Sequence, residues 1–82
     1  MVNVDYDSHF EDIIRKIKDA ALKERVKKQI SKIISSPEVG KPMRYIRKDT
    51  REVWIPPFRL SYIYLKNEDK IVFLDLYHKD EQ

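Results

Sequence analysis

The chain has 82 residues, with 17 Lys and Arg against 14 Asp and Glu, no cysteine, and two widely separated histidines. A chain of that length makes one small domain, 1–82, and buries only roughly 60–65% of its unfolded surface, which leaves little room for an enclosed pocket. Without cysteine there is no disulfide framework and no thiolate metal site, and His9 with His78 alone do not make a histidine cluster, so neither metal nor cofactor is expected.

Val2–Tyr6 alternates apolar and polar residues and predicts a short first strand. Ser8 then reads as an N-cap, with Glu11 three residues on completing a capping box. Phe10, Ile13, Ile14 and Ile17 come next, at the spacing of one buried helical face. Asp19 breaks and recaps the chain. Leu22, Val26, Ile30, Ile33 and Ile34 predict a second apolar stripe on a helix of about four turns. The short link between the stripes favours a helical hairpin. Pro37, Gly40 and Pro42 mark a loop. Met43–Lys48, Arg51–Ile55, Phe58–Leu65 and Lys70–Tyr77 read as strands, with Asn67-Glu68-Asp69 as a polar turn between the last two. Pro56-Pro57 cannot donate ladder hydrogen bonds and belongs at an edge or bulge. The order β-α-α-β-β-β predicts an α+β fold of two layers, a helical hairpin packed on one face of an antiparallel sheet, the other face free.

Alternation in Phe58–Leu65 sends Phe58, Leu60, Tyr62 and Tyr64 one way and Arg59, Ser61, Ile63 and Leu65 the other. An unpaired guanidinium is costly to bury, so the Arg59 side is expected to be the open face. Charge is distributed unevenly. Residues 1–40 are nearly balanced, whereas 41–59 hold Lys41, Arg44, Arg47, Lys48, Arg51 and Arg59 against Asp49 and Glu52. Basic side chains interleaved with Tyr45, Trp54 and Phe58 suit phosphate contact and base stacking, and equally suit an edge strand kept soluble by its charges. No apolar run reaches the roughly 18–20 residues of a membrane helix, and no secretory signal opens the chain, so the cytoplasm is the expected compartment and no membrane partner is expected.

Three segments carry a family likeness. Ser36-Pro37-Glu38-Val39-Gly40-Lys41-Pro42-Met43-Arg44-Tyr45, Phe58-Arg59-Leu60-Ser61-Tyr62 and Tyr77-His78-Lys79 resemble, in order and spacing, the entry loop, the Y-R-I-x-Y strand and the closing G-H-R of the RelE/ParE superfamily of toxins. The resemblance implies a toxin of a toxin–antitoxin pair, with a cognate antitoxin as partner. Its RelE-like members are ribosome-dependent mRNA endonucleases, so ribosome and mRNA are the other implied partners. Its ParE-like members inhibit gyrase without catalysis, and a weakened relative would only bind its antitoxin. Two departures stand out. Trp54 occupies a position where many relatives carry a second arginine. The chain closes on Asp80-Glu81-Gln82 where they continue with arginine and a V-Y pair.

Cutting RNA through the ribose 2′-OH requires in-line positioning, neutralisation of the phosphorane charge, and proton transfer at both ends. The resemblance implies Arg59 for the scissile phosphate, and His78 with Lys79 for transition-state charge and proton transfer. Lys41, Arg44, Arg47, Lys48, Arg51 and Trp54 are the expected RNA contacts. No metal is required, because the nucleophile belongs to the substrate.

Overall fold

The computed structural model describes residues 2–43 and 49–81. Its elements run β1 (Asn3–Tyr6), α1 (Ser8–Lys16), α2 (Ala20–Ser35), β2 (Lys41–Pro42), β3 (Thr50–Ile55), β4 (Phe58–Leu65) and β5 (Lys70–His78), with short 3-10 turns at Lys66–Glu68 and Lys79–Glu81. The two helices pack on a five-stranded sheet ordered β1-β5-β4-β3-β2. The α+β expectation holds, with one refinement: β1 joins β5 in parallel, Asn3 opposite Lys70, so the sheet is mixed. The helical hairpin is part of the long connection that a parallel pair requires.

Each helix begins where an acid caps it. Asp19 accepts from Ala21 N–H and Leu22 N–H, as its sequence position suggests. For α1 the cap is Asp7, whose carboxylate accepts from His9 N–H, and Ser8 is already the first helical residue. Phe10 from α1 and Val26 and Ile33 from α2 are buried against Ile55, Leu60, Tyr62, Ile71, Phe73 and Leu76 of the sheet. Phe10, Phe73 and Tyr62 form a run of ring contacts through that core.

Two local features set which side chains reach each face. Pro56-Pro57, joined by a cis bond, forms the turn of the β3–β4 hairpin, Ile55 opposite Phe58. Its carbonyls are held by Arg25 Nη2, which donates to Pro56 O, and by Lys79 N–H, which donates to Pro57 O. Between β4 and β5 the register slips: Ser61 faces Asp75, but Tyr62 faces Phe73, so Leu74 is an extra residue. A one-residue bulge reverses the alternation beyond it. Ile71 and Phe73 point to the core before the bulge and Leu76 after it, which carries Tyr77 to the open face and His78 to the helix-covered one. The strand expected at Met43–Lys48 lies mostly outside the described residues; β2 precedes it.

The loop leaving α2 is tied to the sheet by Tyr62. Its hydroxyl donates to Pro37 O at 2.7 Å and accepts from Gly40 N–H at 2.9 Å. A Cβ on Gly40 would lie 2.5 Å from that oxygen, so only glycine fits. Tyr62→Phe leaves both loop groups without a partner and should cost about 1–3 kcal/mol in urea unfolding. Burial pushes the Tyr62 phenol above its ordinary 10.0, outweighing the lowering by the Gly40 hydrogen bond and the Arg51 charge. The folded chain therefore keeps this proton longer than the unfolded one. Tyr62's contribution is complete below the ordinary phenol value and declines as pH rises through the raised one. Tyr62→Phe should flatten that alkaline decline, and an unchanged slope would refute the assignment.

Candidate functional site

The β3–β4 hairpin places Trp54 directly across from Arg59, and Arg59 directly across from Tyr77 on β5. Residues opposite one another in antiparallel strands share a face, so these three form one row on the side away from the helices. Next to it run Lys41, Glu52, Ser61 and Asp75 in register. Ser61 and Ile63 are buried, so the exposed part of this face is concentrated at the Trp54 end.

Trp54 is 47% exposed and serves as a platform for two cations. The Arg59 guanidinium carbon lies 5.3 Å from its ring centroid and Lys79 Nζ lies 5.7 Å away. Each contact is worth about 0.5–1 kcal/mol at an exposed site, and together they hold like charges on one small patch. Lys79 gets there because its N–H bonds the turn carbonyl of Pro57, which folds the end of β5 over the hairpin tip.

Arg59 is not a free cation. Its Nη1 donates to Glu52 Oε1 at 3.1 Å, with the carboxylate 8% and the arginine side chain 39% exposed. Glu52 Oε2 and Arg59 Nε are both buried without a protein partner among the described residues. Nη2 forms no hydrogen bond among the described residues. Beside the edge of β3, an open recess of about 530 Å³ brings Gln29 and Lys32 of α2 together with Lys41, Glu52, Trp54 and Arg59. It is a charged trough, suited to an extended polyanion.

Of the expected site residues, Arg59, Lys79, Trp54 and Lys41 come together on this side of the molecule. His78 does not join them. It stands opposite Phe58, their rings edge to face at 5.5 Å, and its Nδ1 accepts from Asp80 N–H. The bulge at Leu74 is the reason. Arg51 is also set apart, opposite Tyr62 on the helix-covered face, where its Nη1 donates to Glu38 O and Gly40 O. Arg44, Arg47 and Lys48 lie outside the described residues. Glu52, Gln29 and Lys32 are additions that the sequence reading lacks. Strand alternation from Trp54 would have found Glu52; the two α2 residues join only through tertiary packing. His9 pairs with Asp75, Nε2 to Oδ1 3.2 Å. Among the described residues, no group of three His, Cys, Asp or Glu is placed to hold a metal.

A protein-family model described as the ParE toxin of type II toxin–antitoxin system, parDE, matches residues 4–82. Among solved structures, the chain is similar to one from the intact RelBE toxin–antitoxin complex of E. coli, with TM-score 0.80 and 16% identity over 95% of this chain and 96% of that one. It is similar to one from the RelBE2 toxin–antitoxin complex of Mycobacterium tuberculosis, with TM-score 0.77 and 22% identity over 95% and 98%. A metal-bound toxin from Helicobacter pylori gives TM-score 0.70 at 19% identity over 99% and 98%. At these identities the likeness is one of fold. No curated protein matches the chain.

Removing Arg59 should expose how much of the site's order rests on the ion pair. Arg59→Ala strands the Glu52 carboxylate and should cost about 1–2 kcal/mol, less than for a fully buried pair because water can enter. Adding Glu52→Gln should recover most of that loss. Urea unfolding of wild type, both single variants and the double variant checks it; additive losses would show the two residues uncoupled.

Proposed function

The chain belongs to the ParE toxin family of type II toxin–antitoxin systems, and from that premise we propose that it cuts messenger RNA on the ribosome, with Arg59 and Lys79 binding the scissile phosphate. The observation that carries this reading is the pair of cations gathered on the exposed Trp54 ring. A guanidinium presents a planar fork of donors to phosphate oxygens, and a neighbouring ammonium adds a point charge where the phosphorane becomes dianionic. Trp54 offers a face on which an RNA base can stack. The trough past Lys41 and Lys32 supplies phosphate contacts along the strand.

Proton transfer falls to groups on the same face. Tyr77 stands across from Arg59, and Lys79 lies beside the same ring, whereas His78 points to the other side. Such a site works mainly by charge stabilisation and positioning, with the 2′-OH as nucleophile. The partners implied are the ribosome with its mRNA, and a cognate antitoxin. The E. coli and Mycobacterium tuberculosis structures it resembles are toxin–antitoxin complexes. An acidic antitoxin segment would complement this face.

A second reading has a specific observation behind it. Glu52 neutralises Arg59, and His78 is turned away, an arrangement that fits a toxin acting on gyrase by protein contact without catalysis. The family contains this mode, and fold does not separate the two.

Primer extension on a message translated in vitro, alongside a gyrase supercoiling assay, distinguishes them. Cleavage of the translated message leaving 2′,3′-cyclic phosphate ends is expected, with supercoiling unaffected. Arg59→Ala should abolish cutting, Lys79→Ala should slow it about 10²–10³-fold, and His78→Ala should change it less than about tenfold. An intact message together with blocked supercoiling would replace the first reading by the second.

A further inference from the structure

We propose that Glu52 is the built-in counter-ion of Arg59, and that its charge sets how tightly the open face holds a nucleic-acid phosphate. This rests on the reading of that face as an RNA site. The carboxylate is 8% exposed and lies against the guanidinium, Oε1 3.1 Å from Nη1. Its second oxygen meets no protein donor among the described residues, and Arg59 is the cation it pairs with among them. Lys41 is its neighbour across β2 and β3, but no ion pair joins them among the described residues. Among the described residues, Lys32, Lys41, Arg59 and Lys79 thus lie around Trp54 with one buried acid, Glu52, paired to Arg59.

A buried carboxylate beside a phosphate site acts in two opposed ways. It fixes the guanidinium, which aids positioning, and it cancels the charge that the phosphate would meet. The first effect needs only a hydrogen-bond acceptor. The second needs the negative charge. Glu52→Gln separates them, because the amide oxygen still accepts from Nη1 while the charge is gone. Glu52 therefore acts on RNA through Arg59, as a positioning residue that also attenuates the site.

The measurement uses the only tryptophan in the chain, Trp54, which lies against both cations. Its fluorescence is followed while the full chain is titrated with single-stranded RNA of about ten nucleotides, an ordinary length for such sites. Glu52→Gln should bind about tenfold more tightly at about 0.1 M salt than the wild type, and its salt dependence should steepen by about one released counterion. Asp12→Asn makes the same change in net charge on the helical layer, across the sheet from Arg59, and should alter affinity less than about twofold. Should the amide variant fail to fold, Glu52→Leu carries the same expectation, since it removes the charge without burying a polar group. Equal or weaker binding by a folded Glu52 variant, an equal gain from Asp12→Asn, or no RNA binding by any variant would overturn the proposal. The two readings fail separately. Tighter RNA binding with no cleavage of translated mRNA removes the nuclease and leaves the counter-ion. Cleavage by the wild type with unchanged affinity in Glu52→Gln does the reverse.

Discussion

The Tyr62 hydroxyl joins the two halves of this molecule. It sits at the buried centre of β4, yet reaches out of the core to take Gly40 N–H and give its own proton to Pro37 O. Gly40 must come so close that no side chain can be carried there. From the same face of the neighbouring strand, Arg51 bonds Glu38 O and Gly40 O. The loop after α2 is therefore stitched to both β4 and β3, and this decides where β2 is laid. Lys41 and Pro42 run alongside β3, with Lys41 opposite Glu52. The arrangement of charge on the open face is thus fixed from the buried one, by a hydroxyl that never touches it.

Alternation along β3 divides the labour of that strand. Arg51, Val53 and Ile55 look inward, one to brace the loop and two toward the core, while Glu52 and Trp54 look outward. Placing an acid and an aromatic on one face gives Arg59 two partners of different kinds. The acid holds one nitrogen in a directed hydrogen bond, and the ring attracts the guanidinium through its face. Lys79 shares the ring but not the acid. Among the described residues, the two cations on one patch thus differ in having or lacking an acid partner, which is an asymmetry a phosphate would encounter.

Much of the architecture is legible in the sequence because it is local. Phe10, Ile13, Ile14 and Ile17, then Val26, Ile30 and Ile33, announce two helices through their spacing alone, and Asp19 marks the second start. The cap of α1 falls at Asp7 rather than Ser8, since adjacent capping residues offer the same chemistry and only backbone geometry chooses between them. The parallel pairing of β1 is not legible, because its partner lies at the other end of the chain. Nor is the facing of His78. An apolar alternation through Ile71 and Phe73 predicts Tyr77 inward and His78 outward, and the extra residue at Leu74 exchanges them. Glu52 is visible as a residue but not as a partner. Its meaning depends on Arg59 arriving opposite Trp54, which the hairpin turn determines.

The pairing of β1 with β5 has a consequence for the order in which the chain can assemble. Asn3 opposite Lys70 closes a loop that contains both helices and three of the strands. Such non-local ladders form slowly, after the local hairpins, because the chain entropy of closure must be met before the contacts return it. Until β5 arrives, Phe10 has no Phe73 to stack on and β4 lacks one of its two neighbours. The same strand delivers Tyr77 to Arg59 and leads Lys79 to Trp54. The cationic patch, by contrast, needs only the two local hairpins that β4 makes with β3 and β5, so it can be assembled before the β1–β5 ladder closes and brings Phe10 onto the core.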